Sequence, residues 1–167
     1  MFEPDKGFKL AAVSVRKIPA MCFDPRVKSL NYLANIMARM EAQASGADEA
    51  IMLDIHGYVA EGSADNIFMV KNGELYTPSV QDALEGITRA TVIELAGRIK
   101  IKVHETKLTM YDVYVADEIF VTGSGAGIVG VTEVDKRVIS GGKKGPITKK
   151  ISEAYDEEAQ KGESAYE

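Results

Sequence analysis

The segment IFMVKNGELYT, residues 67–77, constrains the fold of this chain more than any other local feature. Two short β-favouring runs, IFMV and ELYT, flank Asn72-Gly73. Asn-Gly readily adopts the positive φ angles of a two-residue hairpin turn, so the sequence predicts an antiparallel strand pair here. A lone acid, Glu61, and three small residues, 62–64, precede the first strand. This places a carboxylate with little bulk around it at the mouth of a strand, where it can face a cation.

Hydrophobic periodicity elsewhere predicts a mixture of helices and strands. An Asn31 N-cap and the apolar positions Leu33, Ile36, Met37 and Met40 predict a helix that ends near Ser45, with one apolar face. Further helices are predicted over 88–99 and 110–117 and after Pro146. Strands are predicted over 9–18, 49–55, 58–61, 102–108, 118–123, 131–134 and 137–140.

The chain has 167 residues, which is the usual size of a single domain. No Gly/Pro/Ser-rich linker divides it, so we expect one α/β domain over residues 1–155. The acidic segment 156–167 is expected to fray as a tail.

Composition and charge exclude several classes of function. The net charge of −5 and a pI near 5.2 argue against nucleic acid as a partner. No apolar run has membrane-spanning length. A single cysteine, Cys22, excludes an internal disulfide, and two histidines, His56 and His104, are too few for a multi-histidine metal site, so no metal is expected. These features favour a cytoplasmic protein.

A glycine-rich segment, residues 123–130, contains the spacing G-x-G-x-x-G at Gly125, Gly127 and Gly130. A dinucleotide-binding fingerprint requires a helix directly afterwards, because the helix N-terminus holds the pyrophosphate. Here a hairpin is predicted around Asp135-Lys136 instead, so a nicotinamide-dinucleotide site is disfavoured. We expect a loop whose backbone N–H groups can bind an anion.

Lys28 lies among apolar residues just before the first predicted helix. Most lysines at such positions are ordinary surface side chains. The functional alternative is a partly desolvated amine that attacks a carbonyl, as in enzymes that use pyridoxal 5′-phosphate (PLP). Such a site also needs an acid at the pyridine nitrogen, a donor at the ring oxygen and a phosphate cradle. The candidates are Glu61 for the nitrogen, Tyr32 for the oxygen, and Gly86-Ile87-Thr88 with Ser124 for the phosphate.

These residues carry a resemblance to the class IV (fold-type IV) PLP-dependent aminotransferases, most of all to the branched-chain aminotransferases. KSLNYL resembles the segment of the family that bears its reactive lysine, and GPITKKI resembles the last helix. The similarity covers about residues 8–155. The longer family signature is matched by Glu61, Ser63, Asn66-Ile67-Phe68, Leu75-Tyr76-Thr77, Leu84, Gly86-Ile87 and Arg89.

The resemblance implies the fold of the family's C-terminal domain, a mixed sheet partly closed into a barrel with flanking helices. It implies that Lys28 forms a Schiff base with PLP and shuttles a proton, and that Glu61 keeps the pyridine nitrogen protonated. Tyr32 would bond the ring oxygen. The implied phosphate and substrate contacts are Gly86, Ile87, Thr88 and Ser124 for phosphate, and Gly125 and Ala126 for substrate. The implied reaction is transamination between a branched-chain amino acid and 2-oxoglutarate, in a homodimer.

Two departures from the family pattern bear on substrate choice. Where many relatives have an acid and a proline in the glycine-rich segment, this chain has Gly127 and Gly130, so a looser loop is expected. The family's N-terminal domain, which supplies a phosphate-binding arginine, is not among these 167 residues. D-amino-acid transamination, a PLP lyase and a non-catalytic domain of the same fold therefore remain open as alternatives.

Overall fold

A computed structural model describes residues 7–81 and 83–163, with backbone only for 161–163. These residues form four α-helices, nine strands and a 3-10 turn, Ser140–Gly142. The helices are α1 (Leu33–Ala44), α2 (Ile87–Arg98), α3 (Met110–Tyr114) and α4 (Pro146–Glu163). The strands are β1 (Phe8–Arg16), β2 (Glu49–Leu53), β3 (Val59–Glu61), β4 (Asn66–Lys71), β5 (Glu74–Pro78), β6 (Val103–Thr106), β7 (Glu118–Gly123), β8 (Gly127–Val134) and β9 (Arg137–Val138).

The described strands form one mixed sheet in the order β3-β2-β1-β8-β7-β4-β5-β6, with β9 paired to β8. β1 lies inside the sheet, parallel to both β2 and β8, and β5 is parallel to β6. The sheet curls into a half-barrel with flanking helices, which confirms the predicted fold class.

Both faces of the middle strands are buried. Alternate residues of a strand point to opposite sides of the sheet, and each side is covered by helices. In β4, Ile67 and Met69 belong to a cluster that includes residues of α3, whereas Phe68 and Val70 pack with residues of α2 and α4. Phe68 lies opposite Phe120 in register, and the two rings stack with centroids 4.9 Å apart. Burial on both faces explains why these strands are almost continuously apolar.

The predicted apolar face of α1 points away from the sheet. Leu33, Met37 and Met40 are 65%, 52% and 62% exposed, whereas Ala38 and Ala42 are fully buried against β1 and β2. Small side chains allow the helix axis to approach the sheet closely. The face with the two alanines therefore packs on the sheet, and the face with the larger apolar side chains does not. The predicted Asn31 N-cap is also wrong, since the N-cap residue is Tyr32.

The two predicted hairpins are confirmed. Asn72 and Gly73 have φ angles of 51° and 81° between β4 and β5. Asp135 and Lys136 also have positive φ, 47° and 64°, between β8 and β9. The Asp135 carboxylate accepts hydrogen bonds from the Ala12 N–H and the Tyr114 hydroxyl, which offset the strain of this turn.

Several predicted boundaries moved, and two of these shifts bear on the argument. Residues 127–130 were expected in a loop, but they begin β8, because Ile128 and Val129 are buried and pair with β7. A strand and not a helix therefore follows Gly125. A dinucleotide site would need a helix there, so the interpretation of this segment as a non-dinucleotide loop is supported. α4 continues past residue 155 into the segment expected to fray, while residues 164–167 of that tail lie outside the described residues. None of the described helices is long and apolar enough to cross a membrane.

Candidate active site

A cavity of about 150 Å³ opens between the end of β1, the segment before α1 and the loop after β3. Three of the residues predicted for the site, Lys28, Tyr32 and Glu61, line it together. Glu61 is distant in sequence from Lys28 and Tyr32, and the central position of β1 beside β2 brings their segments to one place. Other polar residues in the lining are Lys17, Ser29, Asn31, Asn35, Ser63, Asp65 and Asn66.

Glu61 ends β3 with a buried side chain, and both of its carboxylate oxygens are bonded. Oε1 lies 2.5 Å from Lys17 Nζ. Oε2 accepts from the Asn66 amide at 3.2 Å and from the Leu84 N–H at 3.1 Å. A carboxylate has about four acceptor positions. Three described donors therefore leave one position for a further donor.

Lys17 is a further site residue that the sequence pattern did not single out. It follows β1, its side chain is only 7% exposed, and it forms a buried ion pair with Glu61. A signal was present, since Lys17 continues the alternation of Ala11, Val13 and Val15, and a lysine on an apolar face needs a partner. Burial raises the pKa of Glu61, and the Lys17 ammonium is the largest influence that lowers it.

Tyr32 and Asn35 attach the start of α1 to the loop after Glu61. The Tyr32 hydroxyl and the Asn35 amide both donate to the Ser63 carbonyl, Asn35 at 2.7 Å. Burial, and then the nearby charge of Glu61, raise the pKa of Tyr32, so its hydroxyl stays protonated and remains a donor.

Lys28 lines the cavity from the segment that precedes α1. Its side chain is exposed, so the partial desolvation that the functional alternative requires is not found in the described residues. No hydrogen bond or ion pair to Lys28 is found within residues 7–81 and 83–163. Of the two lysines in the cavity lining, Lys17 is therefore held by a carboxylate, whereas Lys28 has no partner among the described residues.

A buried glutamate fixes the loop between β3 and β4. Glu49 is fully buried, bonds Arg39 at 2.7 Å and accepts the Ser63 N–H at 2.8 Å. A Cβ on Gly62 would lie 3.0 Å from the Asp65 carbonyl and 3.4 Å from that of Ala50. The packing of the loop therefore favours glycine directly after Glu61.

The predicted phosphate contacts Gly86, Ile87 and Thr88 lie at the start of α2 and do not line the cavity. Gly86 is the N-cap and gives no side-chain cap, and the first turn of α2 contains no acid. Ile87 is 80% exposed and Thr88 is buried. A Cβ on Gly86 would collide with the Asn66 amide oxygen, so Asn66 connects this helix end to Glu61.

Ser124, Gly125 and Ala126 form the turn between β7 and β8, and they too lie outside the cavity lining. The turn approaches the loop after Glu61, since a Cβ on Gly123 would collide with the Asp65 carboxyl group. Just before it, the buried Thr122 hydroxyl has no hydrogen-bond partner among the described residues. Thr122 lies opposite Asn66 in register.

The family model for amino-transferase class IV matches residues 2–134. The chain belongs to this family. A Methanocaldococcus jannaschii relative of the branched-chain-amino-acid aminotransferases is 50% identical over 152 residues, covering 90% of this chain and 53% of the relative. The branched-chain-amino-acid aminotransferase of Pseudomonas aeruginosa is 48% identical over 124 residues, covering 74% and 40%.

Solved structures of branched-chain aminotransferases share this class IV fold. The T.th. enzyme, complexed with N-(5′-phosphopyridoxyl)-L-glutamate, has a TM-score of 0.88 and 40% identity, covering 92% of this chain and 52% of its own. The Thermoproteus uzoniensis enzyme with norvaline has a TM-score of 0.86 and 45% identity, covering 90% and 50%. The chain thus spans about half the length of the relatives it matches.

Proposed function

We propose that this chain supplies the lysine-bearing part of a PLP-dependent branched-chain aminotransferase, with Lys28 as the amine that bonds the cofactor. The observation that carries the proposal is the cavity itself, which brings an unpaired lysine, a buried glutamate and a partly buried tyrosine hydroxyl together. Ligand sites usually enclose about 300–1,000 Å³. The cavity of about 150 Å³ is smaller than this, as expected if its lining forms one side of a larger site.

Three features of the described residues fit a cofactor with a basic ring nitrogen and a phosphate. Glu61 keeps one acceptor position, as a protonated ring nitrogen requires. The first-turn N–H groups of α2 have no side-chain cap, and such groups bind phosphate well. The Thr122 hydroxyl, opposite Asn66 in register, has no hydrogen-bond partner among the described residues and could donate to a ligand.

PLP supplies an aldehyde to bond amines and an electron-accepting ring. The residues of this chain would hold and orient it. Glu61 would accept the ring N–H. The Lys28 amine would hold the cofactor by condensing with its aldehyde, whose oxygen leaves as water. Once the substrate amine has displaced it, Lys28 would be free to move the proton at the substrate carbon. Tyr32 would turn its hydroxyl to the ring oxygen. Gly86, Ile87, Thr88 and Ser124 would hold the phosphate, and Gly125 and Ala126 would contact the substrate.

The substrates proposed are a branched-chain L-amino acid and 2-oxoglutarate. Support comes from the relatives, since the named matches are branched-chain aminotransferases, one structure carries norvaline and another a phosphopyridoxyl-L-glutamate. Transfer from L-leucine but not D-leucine or D-alanine would distinguish this reaction from D-amino-acid transamination.

We also propose that the protein acts in the cytoplasm as a homodimer. The exposed, unpaired thiol of Cys22 supports a reducing compartment. The exposed apolar residues of α1 support an interface with a second copy.

The test is addition of PLP to the chain, borohydride reduction and peptide mass mapping. The expected result is a pyridoxyl group on Lys28, with none on Lys17, because Lys17 is held by Glu61. Lys28→Ala should remove the adduct. Lys150→Ala, an exposed lysine on α4, is the matched control and should leave it intact.

An adduct on Lys17 in the wild-type chain, or one that persists on the same peptide in Lys28→Ala, would disprove the role of Lys28. A wild-type chain that forms no adduct anywhere would point to the non-catalytic alternative for this chain.

A further inference from the structure

The pair of Lys17 and Glu61 places a second cation beside the residue proposed to hold the ring nitrogen. Lys17 Nζ lies 2.5 Å from Glu61 Oε1, and the two side chains are only 7% and 8% exposed. Lysine is almost never fully buried unless it is paired, and replacing a buried ion pair by apolar residues often costs no stability. Stability alone therefore does not account for this pair.

The surroundings of Glu61 show why a cation matters there. Asn66 and Leu84 donate to Oε2 as neutral groups. Of the charged and titratable groups nearby, Lys17 is the one in direct contact. The others that face this region are Lys28 and Tyr32 from the segment before α1, Arg39 from α1, Glu49 from β2 and Asp65 from the following loop.

Without Lys17, the buried Glu61 would tend to take a proton, because burial disfavours the charged carboxylate and the nearby Asp65 carboxyl group interacts unfavourably with its charge. A proton shared between Glu61 and a ring nitrogen can reside on either group without a change in total charge. Lys17 contacts the Glu61 side of that pair. Its charge therefore favours the arrangement with a negative carboxylate and the proton on the ring.

We propose that Lys17 is a positioning residue that keeps Glu61 ionised, and thereby keeps the proton on the ring nitrogen of the bound cofactor. The inference rests on the proposed function and assigns a role to a residue that does not contact the reacting atoms. The ring accepts electrons well only when its nitrogen is protonated. Lys17 would therefore assist the reaction indirectly, through its ion pair with Glu61.

The first test uses the chain without cofactor. Glutamate carbon labelling and NMR would follow the titration of Glu61, with Glu61→Gln to assign the signal. Lys17→Gln removes the charge but keeps a donor to Oε1, so that the fold is disturbed as little as possible. We expect the titration midpoint of Glu61 to rise by about 1–3 pH units in Lys17→Gln, and Lys17→Arg to restore it.

The second test uses PLP labelled with ¹⁵N at the ring nitrogen, whose chemical shift reports protonation. Lys17→Gln should move the shift towards the unprotonated value, and Lys17→Arg should stay near wild type. Identical shifts in all three proteins, or an unmoved Glu61 titration, would overturn the role of Lys17. If the wild-type chain fails to bind PLP, the proposed function falls, and with it the ring-nitrogen part of this inference. The Glu61 titration still decides the Lys17 part.

Discussion

Three buried or half-buried carboxyl groups lie around the loop after β3, and each is balanced in a different way. Glu49 bonds Arg39 and two backbone N–H groups. Glu61 bonds Lys17. Asp65 has no salt bridge within the described residues, and burial, followed by the charge of Glu49, raises its pKa to about 6. Asp65 is therefore the group whose charge is least well supported by the fold.

Asp65→Asn should stabilise the chain above neutral pH. The pKa of Asp65 rises from 3.8 to about 6 on folding, so its protonated form stabilises the fold fully below pH 3.8, and this stability is lost as pH rises through 6. We expect the free energy of unfolding of Asp65→Asn to exceed that of the wild type by about 1–2 kcal/mol at pH 8, a value reduced for solvent screening of the partly exposed carboxylate. The difference should vanish near pH 4. Urea unfolding at both pH values measures it.

The control for this change is Asp156→Asn on the exposed side of α4, which should show no such pH dependence. Equal behaviour of the two variants would show that Asp65 is ionised in the folded chain at neutral pH without cost.

Glu61→Gln should lower both activity and stability. A neutral amide cannot hold the ring nitrogen protonated, so transamination should fall strongly while PLP remains bound. The change also leaves the buried Lys17 charge without a counter-charge, which costs about 3 kcal/mol or more in the free energy of unfolding. Turnover assays and urea unfolding measure the two effects.

Glu94→Gln provides the comparison, because it breaks an exposed ion pair with Arg98. Its cost should be below about 0.5 kcal/mol. Unchanged turnover in Glu61→Gln would exclude Glu61 as the partner of the ring nitrogen.

At the scale of elements, α1 is the helix whose packing departs most from its pattern. Its large apolar side chains are exposed, and two alanines form the contact with β1 and β2. The start of the same helix holds Tyr32 and Asn35 on the Ser63 carbonyl. Close alanine packing therefore sets how far the start of α1 lies from Glu61.

Ala38→Leu should destabilise the chain by about 1–3 kcal/mol, because a well-packed site cannot accept three more carbon atoms without strain. Met37→Gln, on the exposed face of the same helix, should change the free energy of unfolding by less than about 0.5 kcal/mol. Urea unfolding at low protein concentration compares them. A larger loss from Met37→Gln than from Ala38→Leu would mean that the exposed face of α1 is packed in solution.

At the scale of the whole molecule, the exposed apolar face of α1 adjoins further exposed apolar residues. Leu30, just before the helix, is fully exposed, and Val27 is 59% exposed. Exposed apolar residues concentrated in one segment mark an interaction site more often than scattered single residues do. A second copy of the chain is the proposed occupant, since twofold dimers are the commonest soluble oligomers.

Light scattering should give the mass of two chains for the wild type and of one chain for Leu33→Glu/Met40→Glu, with unchanged circular dichroism. Tyr111→Glu/Val138→Glu alters two equally exposed apolar residues elsewhere and should remain dimeric. A monomeric wild type would exclude the homodimer through this face.

The sequence by itself determined the features that depend on local chemistry. Asn72-Gly73 set the hairpin through its backbone angles, and alternating apolar runs set the strands. The long spaced signature from Glu61 to Arg89 led to the family, and Lys28, Tyr32 and Glu61 do line one cavity.

Only the tertiary structure decided which surfaces meet. Periodicity showed that α1 has an apolar stripe, but a pattern along one helix does not say which side packs on a sheet. Here the side with Ala38 and Ala42 packs on the sheet, because small side chains permit closer approach. Lys17 and Glu61 are 44 residues apart and pair because β1 ends beside β2, which in turn pairs with β3. Such contacts depend on strand order, which the sequence does not encode locally.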